Sequence, residues 1–128
     1  MTEEQIFDFA DRFTAAISSG DSTAVRPLYA VDARIWHNTD GVAQTVDQAM
    51  NTVEWLGRKI PDQTCRIVRR ALLKDGYLQQ EVLEATLPDG APFRLNACMI
   101  VQLRDGLVAR VDEYLDSAEL QPLLAFGR

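Results

Sequence analysis

Three Asp-Gly pairs, Asp75-Gly76, Asp89-Gly90 and Asp105-Gly106, fall fourteen and sixteen residues apart. Asp-Gly tolerates the positive φ angles of tight hairpin turns, and each pair lies between segments rich in strand-forming residues. The spacing predicts four consecutive antiparallel strands, at about 63–74, 77–87, 92–104 and 107–116. Few folds other than a meander accommodate that pattern.

The first half has a different period. Ile6, Phe9, Ala10, Phe13 and Ile17 recur at three- and four-residue steps and form one apolar stripe. Thr2 can cap the start of this helix, and Gly20 suits its end. Asp21 caps a second short helix predicted to reach about Ala30, followed by a strand over Ala33 to His37. Thr45 and Gln48 have capping-box spacing, so a third helix runs from there to Lys59, before Pro61. Within it, Trp55 reads as packing, beside Met50, Val53, Leu56 and Ile60. A last helix near 117–124 can be capped by Asp116, with Glu119 three residues on. Helices first and a meander afterwards imply α+β, with helices packed on one face of a curved antiparallel sheet.

The 128 residues fit a single domain, 1–128, able to bury a core without disulfides or metals. A net charge of −6 repels a phosphate backbone, so nucleic acid is not an expected partner. The basic cluster Arg66, Arg69 and Arg70 reads as solvated strand residues, with Arg66 and Arg70 on one face and Arg69 on the other. The longest apolar run is Ala97 to Val101, too short for a membrane span. The first residues lack the basic-then-apolar pattern of a secretion signal. Cys65 and Cys98 have no CxxC spacing and read as buried free thiols in a reducing compartment. The expected location is therefore cytoplasmic. One histidine and scattered carboxylates predict no catalytic metal. No GxGxxG, Walker or GxSxG motif is present, so no nucleotide cofactor or serine nucleophile is expected.

Candidate chemistry lies on the last strand. Alternation places Leu107, Ala109, Val111, Glu113 and Leu115 on one face, with Val108, Arg110, Asp112, Tyr114 and Asp116 on the other. The first face is apolar except for Glu113. A carboxylate forced into apolar surroundings holds its proton more tightly, which suits a general acid or base near neutral pH. The structural alternative is a strand-end Glu that reaches solvent or pairs with an arginine. The single histidine, His37, ends the first strand in the run Ile35-Trp36-His37-Asn38, an aromatic and amide cluster typical of pocket lining.

Two segments carry a family resemblance: Tyr29-Ala-Val-Asp-Ala-Arg-Ile-Trp-His-Asn38 and Arg104-Asp-Gly-Leu-Val-Ala-Arg-Val-Asp-Glu-Tyr-Leu-Asp116. With the element order, they resemble the nuclear transport factor 2-like superfamily, which includes ketosteroid isomerases, limonene-epoxide hydrolases, scytalone dehydratases and SnoaL-like polyketide cyclases. The resemblance implies a cone-like half-barrel closed by N-terminal helices, an apolar cavity at one end, and homodimers through the outer sheet face. It places the epoxide hydrolases' water-activating carboxylate on Glu113. Their Tyr-x-Asn pair falls on Trp36 and Asn38, or on His37 with a one-residue shift. Their Arg-x-Asp pair falls near Gln80 and Val82 and is lost, and Glu84 nearby is no obvious replacement. The isomerases' tyrosine and oxyanion aspartate fall on Phe13 and Met99, which removes both oxyanion donors; their general base falls on His37. The resemblance leaves His37 and Glu113 as the catalytic pair, and as substrate-binding lining Phe13, Trp36, Asn38, Leu95, Ala97, Met99 and Val101. The expected function is cofactor-free acid–base chemistry on a small, mostly apolar, oxygenated molecule, of isomerase, cyclase, dehydratase or hydrolase type. The alternative is a non-catalytic small-molecule-binding or dimerisation module of the same shape.

Overall fold

Helix α1 (Glu3–Ser18) begins at a reciprocal cap in the computed structural model, which describes residues 1–127. Thr2 Oγ1 accepts from the Gln5 N–H, and the Gln5 side chain returns to the Thr2 N–H, which satisfies two otherwise free donors. The predicted stripe buries Ile6, Phe9, Ala10 and Phe13. After α1, Gly20 adopts φ 71° and lies against Gly57; a Cβ on Gly57 would come within 2.9 Å of the Gly20 Cα. The absent side chains thus let the end of α1 touch α3 (Val46–Lys59), which starts at the Thr45–Gln48 box.

Between them, α2 (Ser22–Val25) is capped by Asp21, and a 3-10 turn over Arg26–Leu28 leads into β1 (Tyr29–His37). Sequence alternation placed the start of β1 at Ala33. The strand starts earlier because Tyr29 and Ala30 are buried, and an irregular stretch that exposes Val31 and Asp32 interrupts the pattern. A short unpredicted strand, β2 (Ala43–Gln44), pairs antiparallel with β1.

The meander is β3 (Thr64–Leu73), β4 (Gly76–Thr86), β5 (Pro92–Arg104) and β6 (Leu107–Leu115), close to the predicted spans. The sheet order is β2-β1-β6-β5-β4-β3, and β1 runs parallel to β6. The sheet is therefore mixed, curved and not closed. The parallel pair is possible because a long connection, β2, α3 and the strands β3 to β5, separates its members. Helix α4 (Ser117–Leu124) starts where Asp116 accepts from the Ala118 N–H. Glu119 does not complete a box; it accepts from the Asn96 N–H at 2.9 Å and ties α4 to β5.

The three Asp-Gly pairs act differently. Asp105 and Gly106 both take positive φ, 54° and 76°, as a type I′ hairpin needs. Gly90 has φ 88°. Gly76 has no positive φ; it is the first residue of β4, and a Cβ there would overlap the Val101 carbonyl. Its role is to let β5 approach.

Two bulges shift parity. The β3–β4 register slips between Ile67 and Arg69, so Arg66 and Arg69 point out while Arg70 turns inward. The side chain of Arg70 is only 15% exposed, which corrects the reading of a solvated cluster. In β6, Val108 faces Leu103 while Arg110 faces Gln102. Ala109 is the extra residue, and Val108 lies fully buried on the interior face, opposite to the sequence assignment. From Val111 to Leu115 the alternation holds. Both cysteines are free but only partly buried.

Candidate active site

A single inward-facing row crosses five strands. His37 on β1 is in register with Glu113 on β6, Glu113 with Met99 on β5, Met99 with Gln79 on β4, and Gln79 with Arg70 on β3. The next row contains Leu115, Ala97 and Glu81. Because strand partners lie about 5 Å apart, their polar ends gather in the concavity under the helices.

There the chain forms a partly open cavity of about 160 Å³, mostly apolar in lining. Thr14 and Ile17 of α1, Trp55 and Leu56 of α3, and Leu123 of α4 form its roof. Its polar floor is His37, Glu113, Glu81 and Cys65. His37 Nε2 stands 3.2 Å from Glu113 Oε1, with the two side chains 19% and 23% exposed.

Glu81 is held by a chain of hydrogen bonds from one edge. Asp11 Oδ1 accepts from Arg70 Nη1 at 2.6 Å, and Arg70 Nε donates to Gln79 Oε1 at 2.8 Å. Gln79 Nε2 then donates to Glu81 Oε1 at 3.1 Å and to Thr14 Oγ1 at 3.0 Å. Arginine is donor-only, so it fixes which edge of the Gln79 amide faces Glu81. The Cys65 thiol donates to Glu81 Oε2 at 2.7 Å. Burial, then the nearby charge of Glu113, push the Glu81 pKa up against these hydrogen bonds and Arg70. Burial and the Glu81 charge likewise keep the Cys65 thiol protonated, so it is a donor and not a nucleophile. Tyr29, buried beneath, also has its pKa raised, by burial and then by Glu113.

The structure brings His37, Glu113, Leu95, Ala97 and Met99 to the cavity wall. It does not bring the other four residues there. Phe13 and Val101 are fully buried in the core, where Phe13 stacks on Phe9 and meets Tyr29 edge-on at 5.4 Å. α1 packs directly on the sheet at that end and leaves no space. Trp36 points to the opposite sheet face and packs edge-on against Tyr114 at 5.4 Å, because its neighbour His37 takes the inward position. Asn38 lies beyond the strand end. Its side chain donates to the Leu115 carbonyl and accepts from the Leu115 N–H, while its own N–H donates to the Glu113 carbonyl. It extends the β1–β6 ladder by one rung and so holds His37 and Glu113 in register.

Sequence reasoning missed Glu81, Gln79 and Arg70. Parity in β4 groups Tyr77, Gln79, Glu81 and Leu83 on one face, but nothing within β4 marks that face as the inner one. Among the described residues, no group of three or more His, Cys, Asp or Glu is placed to hold a metal ion, and no helix is long and apolar enough to cross a membrane.

The SnoaL-like domain family matches residues 10–111. The chain belongs to that family. No curated protein matches it. Among solved structures, PrhC from Penicillium brasilianum NBRC 6234 is similar, with a TM-score of 0.87 at 19% identity over 98% of this chain and 89% of that one. IdmH from Streptomyces antibioticus, a candidate polyketide cyclase, gives 0.81 at 20% identity over 94% and 99%. AclR from Streptomyces galilaeus, a candidate hydroxylase, gives 0.83 at 14% identity over 98% and 82%. At these identities the likeness is one of fold, the nuclear transport factor 2-like α+β half-barrel, and leaves chemistry to this SnoaL-like chain's own residues.

Proposed function

We propose that the protein is a cofactor-free acid–base enzyme acting on a small, mostly apolar, carbonyl-bearing molecule. The observation that carries this reading is the placement of Glu113, His37 and Glu81 together on the wall of a mostly apolar cavity. Two carboxyls that share a site do not ionise equally, and the one that keeps its proton serves as acid while the other serves as base. Burial makes Glu81 the proton-holding member. Glu113 removes a proton from the carbon next to the carbonyl, and Glu81 gives its proton to the carbonyl oxygen. Return of both protons, one to a different carbon, completes an isomerisation; in a cyclisation the enol carbon attacks a second carbonyl, the enol O–H proton returns to Glu81, and the proton on Glu113 passes to the new alkoxide oxygen. His37 beside Glu113 orients the base. A cavity near 150 Å³ takes a benzene-sized guest, so a single ring with one substituent is the scale of the reacting part.

The test is exchange of the methyl protons of acetophenone for deuterium in D₂O, followed by NMR. Catalysed exchange supports the reading. Acetophenone that binds in the cavity without exchange favours the second reading, a binding module. Phe13 and Met99 speak for that alternative, since the resemblance puts oxyanion donors at their positions.

Glu81 also predicts a stability signature. Its folded pKa lies above the unfolded one, so the native state binds the extra proton in between. Stability is then fully present below the ordinary glutamate value and falls as pH rises through the raised one. Glu81→Gln should remove that decline, and the variant should melt higher than the parent at pH 7 while differing little near pH 4. Thermal melts at the two pH values check this, and equal shifts at both would show that Glu81 ionises normally.

Homodimerisation through the outer sheet face is part of the proposal. The half-exposed Tyr114 and Val68 support it. Sedimentation should give twice the 14.3 kDa chain mass; a monomer at micromolar concentration would refute it.

A further inference from the structure

Two carboxamides on the cavity wall hold buried polar atoms with no hydrogen-bond partner among the described residues, Gln63 Nε2 and Gln44 Oε1. Gln63 is only 7% exposed. They come from opposite edges of the sheet: Gln44 lies in β2, and Gln63 immediately precedes β3. Curvature carries both edges to the same cavity. An amide desolvated without a partner lowers stability. A leucine or methionine would fill either position without that cost, so the polar atoms point to a partner that comes from outside the chain. The cavity that both line is where such a partner would sit.

We propose that Gln63 and Gln44 form a subsite for a neutral, carbonyl-bearing head group of the ligand, with Gln63 donating to the carbonyl oxygen and Gln44 accepting from an adjacent N–H or O–H. Carboxamides, enols and phenolic ketones meet both requirements. A carboxylate head group does not, because it offers Gln44 no donor and would enter a cavity already holding Glu81 and Glu113, in a chain of net charge −6. An ammonium group gives Gln63 no acceptor. This inference rests on the cavity being the ligand site, and it adds the polarity and charge of what enters.

Benzamide, benzoate and α-methylstyrene have nearly the same shape and serve as probes in NMR titrations of the full chain. For the native chain, benzamide should bind about ten-fold more tightly than benzoate at pH 7. Gln63→Met should weaken benzamide by about three- to ten-fold, the range for one hydrogen bond, and leave α-methylstyrene unchanged or tighter. Gln44→Met should act the same way, and both variants should melt higher than the parent when empty. Should α-methylstyrene bind while benzamide ignores both substitutions, the subsite is wrong and the cavity stands. Benzoate binding as tightly as benzamide overturns the neutral head group. If no probe binds, the cavity reading fails and the subsite fails with it.

Discussion

Glu113→Gln is expected to lower acetophenone proton exchange by about 10²–10⁴-fold, the usual contribution of a positioned general base, while leaving the melting temperature within a few degrees of the parent. The amide keeps the shape of the carboxylate and still presents an oxygen to His37 Nε2, now 3.2 Å from Glu113 Oε1. It cannot take up a proton from carbon. The rate should therefore collapse while binding of the same ketone, followed by chemical-shift changes, survives. Loss of both together would mean that Glu113 holds the cavity open and does no chemistry. Full activity in the variant would move the base to His37, and His37→Gln would then carry the loss. The pH dependence separates the partners. With Glu81 as the acid, the rate falls as pH rises through its elevated pKa, and Glu81→Gln should remove that alkaline limb.

The position of Glu113 was legible because Val111 to Leu115 alternate without interruption and end a strand whose interior face is otherwise apolar. The fold was legible for a related reason: capping residues and Asp-Gly turns are local devices whose chemistry lies in the residues themselves. The inward turn of Arg70 was hidden by the bulge at Val68, and that of Val108 in the core by the bulge at Ala109. Neither position is a glycine or proline, so nothing in the local sequence marks the shift in register, and every inference from parity across it inverts. Arg70 was placed on one face with Arg66 for that reason, and was read as solvated with the rest of its charge cluster. Glu81 was hidden differently. On β4 one face carries Tyr77, Gln79, Glu81 and Leu83 and the other Leu78, Gln80, Val82 and Glu84, so polarity does not say which face is inside. Only the pairing of Gln79 with Met99 and of Glu81 with Ala97 decides it. Trp36 and His37 show the same limit, since adjacent residues on a strand face opposite ways and composition cannot choose between them.

Gln79→Leu is expected to cost about 2–3 kcal/mol of stability and to push the Glu81 pKa higher still. Gln79 is fully buried and, among the described residues, links Arg70 to Glu81 by hydrogen bonds to both. A leucine of similar volume gives back part of the loss as apolar burial. It leaves Arg70 Nε without its acceptor, beside an Nη2 that is already buried without a partner, and hydrogen bonds to charged groups are worth about 1.5–3 kcal/mol each. Glu81 loses one of the two donors that favour its charged form and keeps the Cys65 thiol, so burial and Glu113 weigh more heavily. Urea denaturation should show a lower midpoint with an unchanged slope, and carboxyl NMR should show Glu81 titrating later than in the parent. Asp11→Asn touches the far end of the same chain, where the Asp11 side chain is 70% exposed and its charge is screened by solvent, so it should change stability little. If both substitutions cost the same, the charge at the surface matters more than the buried amide. A Gln79→Leu chain as stable as the parent, with Glu81 unmoved, would show that the network does not govern the acid it touches.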